Sequence, residues 1–435
     1  MGVLIALYFL LYLPMRIVAD FHIHSPYSRA VSKEMTLENL DLWAGKKGIT
    51  VMGTGDFTHP AWIREIKEKL APAEQGLFVL KNRESCASAN ATRFVLTVEI
   101  SSIYSKNSRT RRVHNLIFVP TVEAAEKINA QLNLRGNIKS DGRPILGLDC
   151  VELANIVFNV APDAVIVPAH AWTPWFSIFG SMSGFDSIEE CFEKFAPQIF
   201  AIETGLSSDP AMNWRCAFLD NIALISNSDS HSLQRISREA NVFETELSYD
   251  AIIAALKSRD PTKFLKTLEF FPEEGKYHYD GHRLCNFSSA PEETKRLNGI
   301  CPKCGKKVTV GVLYRVEALS SRPAGEKPAG AIPYQNMVPL DEIIAESFGV
   351  GTASKRVKDE YHSLVGHIGT ELAVLYDAPR DALERATVAE VAEGIMRVRE
   401  GRVEIEPGYD GEYGKIRIFR EDEQKIPTRQ TSLFG

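Results

Sequence analysis

From about residue 16 to 250 the chain alternates short apolar runs with polar stretches of helical spacing. The runs fall at 17–23, 49–52, 94–98, 115–119, 164–168, 199–202, 222–225 and 241–243. Strands separated by helices build βα units, so the pattern predicts a largely parallel sheet or barrel. Between about 270 and 330 the long apolar runs stop, and Gly, Pro, Cys and His take their place. A region that small needs a staple in place of a core. Helical spacing returns over 341–347, 352–363 and 387–400, ending near Gly349, Gly366 and Gly401. The segment 408–419 reads as a hairpin, and the chain beyond 421 as a polar, mobile tail. The expected organisation is an extension over 1–14, a barrel over 15–265, a small module over 266–335, a helical domain over 336–420 and a tail over 421–435.

Composition narrows the class. A chain of 435 residues with 44% apolar and 24% charged residues is an ordinary globular protein, which excludes disorder and a polytopic membrane protein. Its net charge of −6 excludes a globally basic coat but leaves a local basic groove open. The apolar run at 2–13 is shorter than the ~20 residues a membrane helix needs. It has neither a basic start nor an Ala-x-Ala site, so it reads as an extension upstream of a natural start at Met15. A weak membrane anchor is the alternative; the expected location is the cytoplasm, beside the nucleoid. Seven cysteines are too few for a disulfide scaffold, and three crowd into one segment, as metal ligands in a reducing compartment do. Cys86, Cys150, Cys191 and Cys216 are scattered and read as packing residues.

The candidate chemistry sits at the ends of the predicted strands. His22 and His24 close the first run and, at i and i+2 in a strand, face the same way. Asp56 and His59 follow the second run, and Glu99 ends the third. His114 opens the fourth, His170 follows the fifth, and Asp229 and His231 follow a later one. The chain has ten histidines, and six of them fall in these positions. In a barrel these strand ends converge on one mouth. Such a set reads as a multinuclear centre in which carboxylates bridge and imidazoles cap two divalent ions. The mixture suits Zn²⁺, Mn²⁺ or Fe²⁺ better than Mg²⁺ alone. Glu203, also at a strand end, is a site-lining or supporting carboxylate.

This order of motifs resembles the PHP (polymerase and histidinol phosphatase) superfamily over about 16–245. The resemblance implies a distorted seven-stranded β/α barrel with two or three metal ions acting on phosphoesters. Two departures stand out. Asp56 is followed by Phe57, so His59 comes late, and no further histidine lies between Ser25 and Ser32. The first leaves His59 open as a ligand, and the second leaves the third metal open.

His282, Cys285, Cys301 and Cys304 form His-x₂-Cys and Cys-x₂-Cys pairs. Two chelating pairs with a Pro and a Gly at the second knuckle suit a tetrahedral structural zinc. Asp280 and His278 are alternatives to His282 as the fourth ligand.

Other features point to a polymer. The basic stretch with Arg109, Arg111 and Arg112 precedes His114 and reads as a loop holding backbone phosphates, or as a solvated charge run. Trp172 and Trp175, in a Gly/Ser-rich stretch after His170, are candidates for base stacking or for a packed lid. Trp214 and Arg215 are similar candidates, and the glycines at 349 and 351 could present amides to a phosphate. Gln430, Leu433 and Phe434 match a Gln-x-x-Leu-Phe pattern that resembles the peptide bound by the bacterial β sliding clamp.

Nearly all of the chain after Met15 resembles the endonuclease Q family, through the barrel, the Tyr-His-Tyr-Asp-Gly-His-Arg-Leu-Cys stretch, the helical region and the Gly-Tyr-Asp-Gly-Glu-Tyr-Gly segment. The resemblance implies nicking of DNA on the 5′ side of hypoxanthine, uracil, xanthine or an abasic site. The expected mechanism is attack by metal-activated water beside a nucleotide flipped from the stack. His22, His24, Glu99 and Asp229 would carry the chemistry, with Asp229 as the bridging carboxylate. The competing expectations are a small-molecule phosphatase of the histidinol-phosphate kind and a DNA-binding accessory with a degenerate barrel.

Overall fold

Each short apolar run becomes a strand because its branched and aromatic residues pack into one shared interior. The computed structural model describes residues 14–83 and 91–420. The extension, Cys86 and the clamp-like residues Gln430, Leu433 and Phe434 lie outside the described residues, apart from Pro14. The chain divides into two compact units, 1–335 with 407–414, and 336–406 with 415–435. The zinc-like segment falls in the same unit as the strands that precede it. Among the described residues no helix is long and apolar enough to cross a membrane.

The first unit is a mixed α/β fold. Its main strands are β1 (Met15–Asp20), β2 (Val51–Gly53), β3 (Arg93–Lys106), β4 (Arg109–Val119), β5 (Val165–Pro168), β6 (Ala201–Glu203), β7 (Ala223–Ile225), β8 (Ala240–Thr245) and β9 (Phe264–Phe270). Helices α1 (Leu37–Lys47), α2 (Pro60–Lys69), α3 (Val122–Asn133), α4 (Cys150–Val160) and α5 (Tyr249–Ser258) lie between them. Thr36, Thr121, Asp149 and Ser248 cap α1, α3, α4 and α5 by accepting from backbone amides of the first turn. Ile17, Phe21, Val51, Val95, Phe118, Val167, Ala201, Ile225 and Phe243 come from eight different strand regions and meet in one buried cluster.

The pairing corrects the expectation of a largely parallel sheet. β1–β2, β2–β3 and β6–β7 are parallel, but β3–β4, β4–β5, β1–β8 and β8–β9 are antiparallel. For β3–β4 the cause is the basic stretch read as a loop. It is the tip of a long hairpin, paired without interruption from Leu96↔Val119 to Lys106↔Arg109. Asn107 and Ser108 form its two-residue turn with φ of 53° and 58°. Two left-handed residues in succession give a turn whose twist matches the strands it joins.

The same unit holds a short hairpin of β10 (Asp280–His282) and β11 (Phe287–Ser289). The second unit is helical, with α6 (Leu340–Phe348), α7 (Lys355–Ile368), α8 (Arg380–Ala386) and α9 (Ala389–Arg399) around Leu340, Ile344, Tyr361, Leu364, Leu383, Val391 and Ile395. Gly349 ends α6 in the left-handed region with its amide on Ala345 and Glu346, so this turn is a helix cap and not a phosphate cradle. Strands β12 (Glu404–Glu406) and β13 (Lys415–Arg417) pair antiparallel in this unit.

Candidate metal centre

His22 and His24 lie just beyond β1, where Ile23 bridges to Ser230. That bridge, with His24 N–H on the Ser230 carbonyl and Ser230 N–H on the His22 carbonyl, sets Asp229 between the two imidazoles. Asp229 Oδ1 is 3.1 Å from His24 Nε2 and 3.6 Å from His22 Nε2. Glu99 comes from β3, and its Oε2 is 3.4 Å from His24 Nε2 and 3.5 Å from His22 Nε2. The hairpin register pairs Ser101 with His114, which brings the His114 ring over the other oxygen of Glu99. Glu99 Oε1 is 2.5 Å from His114 Nδ1 and 3.0 Å from His170 Nε2. Two metal-capable groups result, one of His22, His24, Glu99 and Asp229 and one of Glu99, His114 and His170. Glu99 belongs to both.

The far sides of the rings are fixed. Glu203 at the end of β6 accepts from His22 Nδ1 at 3.0 Å, from the His170 amide at 2.8 Å and from Asn227 Nδ2 at 2.9 Å. Asp56 Oδ1 holds His24 Nδ1 at 3.1 Å. Asp56, His170 and Asp229 all have positive φ, a costly backbone state that clusters at functional sites. Gly205 also has positive φ, and a Cβ there would lie 2.5 Å from the His170 Cβ. Only glycine lets this loop pass behind the ring.

The cluster is electrostatically demanding. Burial alone would lower the pKa of His22 and His24, yet Glu203, Asp229 and Glu99 raise His22, and Asp56, Asp229 and Glu99 raise His24, well above the usual range. Burial would raise the Glu99 carboxyl, but His114, Arg143 and His22 hold it well below. Burial lowers His114 to about 4. His22 Nε2 is buried without a hydrogen-bond partner and aims at Glu99 and Asp229. An orphaned imidazole nitrogen facing two carboxylates, its other nitrogen already held by a third, is the donor set of a divalent cation.

The structure sorts the predicted residues. His22, His24, Glu99, His114, His170 and Asp229 come together. His231 stands at the rim, with Nε2 3.6 Å from Asp229 and its ring edge-on to His24. Asp56 is a correction: its Oδ2 accepts from Ser25 N–H, Ser25 Oγ and Ser28 Oγ, so both oxygens are used behind the His24 ring. His59 is another correction. It caps α2, which turns it away, and its ring stacks on Tyr27 at 4.4 Å. Arg143 was not anticipated. Its Nη1 is 3.1 Å from Glu99 Oε2, and it lines the same cavity. It lies in irregular chain after an Asp-Gly pair, where no periodicity marks it.

The proposed nucleic-acid contacts also divide. Arg109 is exposed at the hairpin tip, and Arg112 lies 5.6 Å from the Phe176 ring. Arg111 is corrected: it is buried, donates to the Gly184 carbonyl and covers the Phe185 ring at 4.1 Å. Trp172 is corrected too. It is fully buried against Phe179 with Nε1–H on Asn213 Oδ1 at 2.7 Å, so no base can stack on it. Trp175 lines a cavity of about 600 Å³ with His114, His170, Phe176, Asp229 and Tyr277. Trp214 packs edge-on against Tyr334.

In the hairpin module the ligand atoms of His282, Cys285, Cys301 and Cys304 all lie within 4.8 Å of one another. The alternatives are placed elsewhere. Asp280 accepts from the Gly311 amide at 2.6 Å, and His278 is buried beside Tyr279 and pushed down to about 4 by that burial. Burial pushes the Cys301 thiol up, but the amides of Lys303 and Cys304 bring it down to about 7. That favours a thiolate ligand.

A mixed α/β fold with a buried, shared-carboxylate imidazole cluster open to a cavity defines a metal-dependent hydrolase. Comparison with known proteins narrows this. The crystal structure of the lesion-specific endonuclease PfuEndoQ from Pyrococcus furiosus is 32% identical, with a TM-score of 0.82, over 95% of this chain and 98% of that one. An endonuclease Q complex with a 27-mer duplex carrying an abasic lesion at its active site is also 32% identical, with a TM-score of 0.81, over 96% of this chain and all of that one. The chain belongs to the endonuclease Q family. Protein YqxK of Bacillus subtilis is 29% identical over 416 residues, 92% of this chain and 99% of its own. Protein MJ0043 of Methanocaldococcus jannaschii is 35% identical over 255 residues, 57% of this chain but only 31% of its own length. Residues 339–402 match the family model of the MJ0043 C-terminal domain.

Proposed function

We propose that the protein is a DNA repair endonuclease that nicks the phosphodiester 5′ to hypoxanthine, uracil, xanthine or an abasic site. The observation that carries the reading is the shared, buried Glu99 carboxylate, whose cluster partners His114, His170 and Asp229 line an open cavity of about 600 Å³. A buried pocket for a small phosphomonoester would not need that opening or the aromatic wall of Trp175, Phe176 and Tyr277. The abasic-site complex of the family relative supports damaged DNA as substrate.

Divalent ions, two or three of Zn²⁺, Mn²⁺ or Mg²⁺, would supply an acidified water and charge neutralisation at the phosphate. His22, His24, Glu99 and Asp229 would hold one, and Glu99, His114 and His170 another. Glu203 accepts the hydrogen bond of His22 Nδ1–H and so leaves the Nε2 lone pair free to bind a cation. Asp56 does the same for His24. Arg143, beside Glu99 and facing the cavity, adds fixed positive charge where the scissile phosphate would lie. The flipped nucleotide would enter between Trp175, Phe176 and Tyr277, and cleavage would leave a 3′-hydroxyl and a 5′-phosphate. The His282, Cys285, Cys301 and Cys304 set has four protein ligands and no open position, so we assign it one structural zinc. Arg109, Arg112 and the helical unit would hold the duplex. Gln430, Leu433 and Phe434 would dock a bacterial β sliding clamp.

The test is a panel of duplexes carrying deoxyinosine, deoxyuridine, deoxyxanthosine or an abasic site, beside an undamaged duplex and a chromogenic phosphomonoester. Metal-dependent nicks on damaged duplexes alone are expected. Brisk phosphomonoester turnover without nicks would replace the proposal with a phosphatase.

A further inference from the structure

Leu284 lies between two ligands of the zinc-like cluster, yet it is 84% exposed. A leucine held out in water buries little apolar surface, and its backbone runs between two candidate zinc ligands, His282 and Cys285. Residues 282–307 carry six Lys or Arg against two Glu, in a chain whose net charge is −6. Arg283 is offset by Glu412 at 3.8 Å and by Asp410, which accepts its amide. Lys295 and Arg296 pair with Glu317 and Glu293, and Lys303 bonds the Cys285 and Asn286 carbonyls. Lys306 and Lys307 remain exposed beside Cys304. On the neighbouring loop Tyr413 is 69% exposed, with Lys276 over its ring at 4.4 Å.

Arg283, the residue before this tip, connects to the cavity wall through the loop at 410–411. Tyr277 lines the cavity and meets Trp175 edge-on at 5.5 Å. Gly411 fills the space between Tyr277 and Arg283: a Cβ there would meet Arg283 Nη1 at 3.4 Å and the Tyr277 hydroxyl at 3.8 Å. Arg283 is the residue before Leu284, and its amide is tied to Asp410 at 2.7 Å. Cavity wall, glycine loop and zinc-like knuckle are thus consecutive.

We infer that Leu284 is a wedge that enters the base stack of duplex DNA beside the lesion and fills the gap left by the extruded nucleotide. The inference rests on the proposed nucleotide flipping. Apolar wedges of this kind part neighbouring bases, and a basic rim holds the flanking phosphates. With a zinc held by His282, Cys285, Cys301 and Cys304, the knuckle would hold the tip rigid and keep the wedge from folding back on the protein. The surface therefore fits a nucleic-acid duplex; a protein partner would leave Lys306 and Lys307 facing no phosphate.

The test compares the wild type with Leu284→Ala on two substrates, deoxyinosine in a fully paired duplex and deoxyinosine in an unpaired bubble. Loss of the wedge is expected to lower kcat/KM about tenfold or more on the paired duplex and to leave the bubble unchanged. A 2-aminopurine placed next to the lesion reads unstacking without turnover. Its fluorescence should rise on binding Asp229→Ala protein and rise much less with Asp229→Ala/Leu284→Ala. Equal rates of wild type and Leu284→Ala on the paired duplex, or an equal loss on both substrates, would overturn the wedge. A wild type that nicks neither substrate would instead overturn the endonuclease reading. Zinc content and the thermal transition of Leu284→Ala check that the exposed change leaves the knuckle intact.

Discussion

Replacing Glu203 by Gln tests how the rings are held. Three donors converge on this buried carboxylate, His22 Nδ1–H, the His170 amide and Asn227 Nδ2–H. Gln offers one acceptor oxygen and turns an NH₂ toward donors. One or two of the three lose their partner, at ~1–3 kcal/mol for each buried donor left unsatisfied. His22 is freed to adopt the tautomer that places its proton on Nε2, the atom facing Asp229 and Glu99. Loss of a carboxylate behind a ligating histidine weakens metal binding by about 10–100-fold. That range is ~1.4–2.8 kcal/mol, in line with one or two lost hydrogen bonds. The assay is a Mn²⁺ titration read by both metal content and nicking rate. Glu203→Gln should need 10–100-fold more Mn²⁺ and approach the wild-type rate at saturation. An unchanged metal affinity would refute the assignment of Glu203 as the residue that orients His22.

Other predictions follow from groups away from the rings. Burial pushes the Glu269 carboxyl up to about 8, from 4.5 for an ordinary Glu, beside Glu239, which burial and Glu269 also raise. The folded protein keeps a proton that the unfolded chain releases, so this contribution is complete below about pH 4 and is lost as pH rises toward 8. Glu269→Gln should therefore gain in Tm relative to wild type as pH climbs through that window, and a pH-independent difference would contradict it. Trp172→Ala should cost about 3–5 kcal/mol of stability in denaturant unfolding, because it empties a buried site against Phe179; a loss of DNA affinity with full stability would restore the stacking role. Cys301→Ser should release one zinc per chain and lower the Tm, measured by elemental analysis and melting, while retained zinc would remove Cys301 from the ligand set.

Much of the centre was legible because strand geometry is periodic. His22 and His24 are two apart, and the positions of Glu99, His170 and Asp229 after apolar runs told where they would meet. The zinc-like cluster was legible from spacing, although spacing could not choose among His282, His278 and Asp280. What failed was what depends on turns and burial. The Asn107–Ser108 turn carries no glycine, so the tip of a long hairpin passed for a basic loop, and with it Arg111 passed for a surface charge. Trp172 sits in a Gly/Ser-rich run where stacking and a packed lid could not be told apart, and packing against Phe179 decides for the packed alternative. His59 follows Asp56 by three residues, but Pro60 starts a helix there and carries the imidazole off. Arg143 and Asn227 act through long-range contacts that no local pattern encodes.

The central claim is that the Glu99-shared centre cuts DNA beside a damaged base. The most direct measurement maps, at single-nucleotide resolution, the product from an end-labelled duplex with one deoxyinosine, with Mn²⁺ or with EDTA. The account predicts one nick immediately 5′ to inosine, with a 3′-hydroxyl and a 5′-phosphate, lost with EDTA and with Asp229→Ala. Nicks that persist in EDTA, or that fall equally on the adenine control, would contradict it.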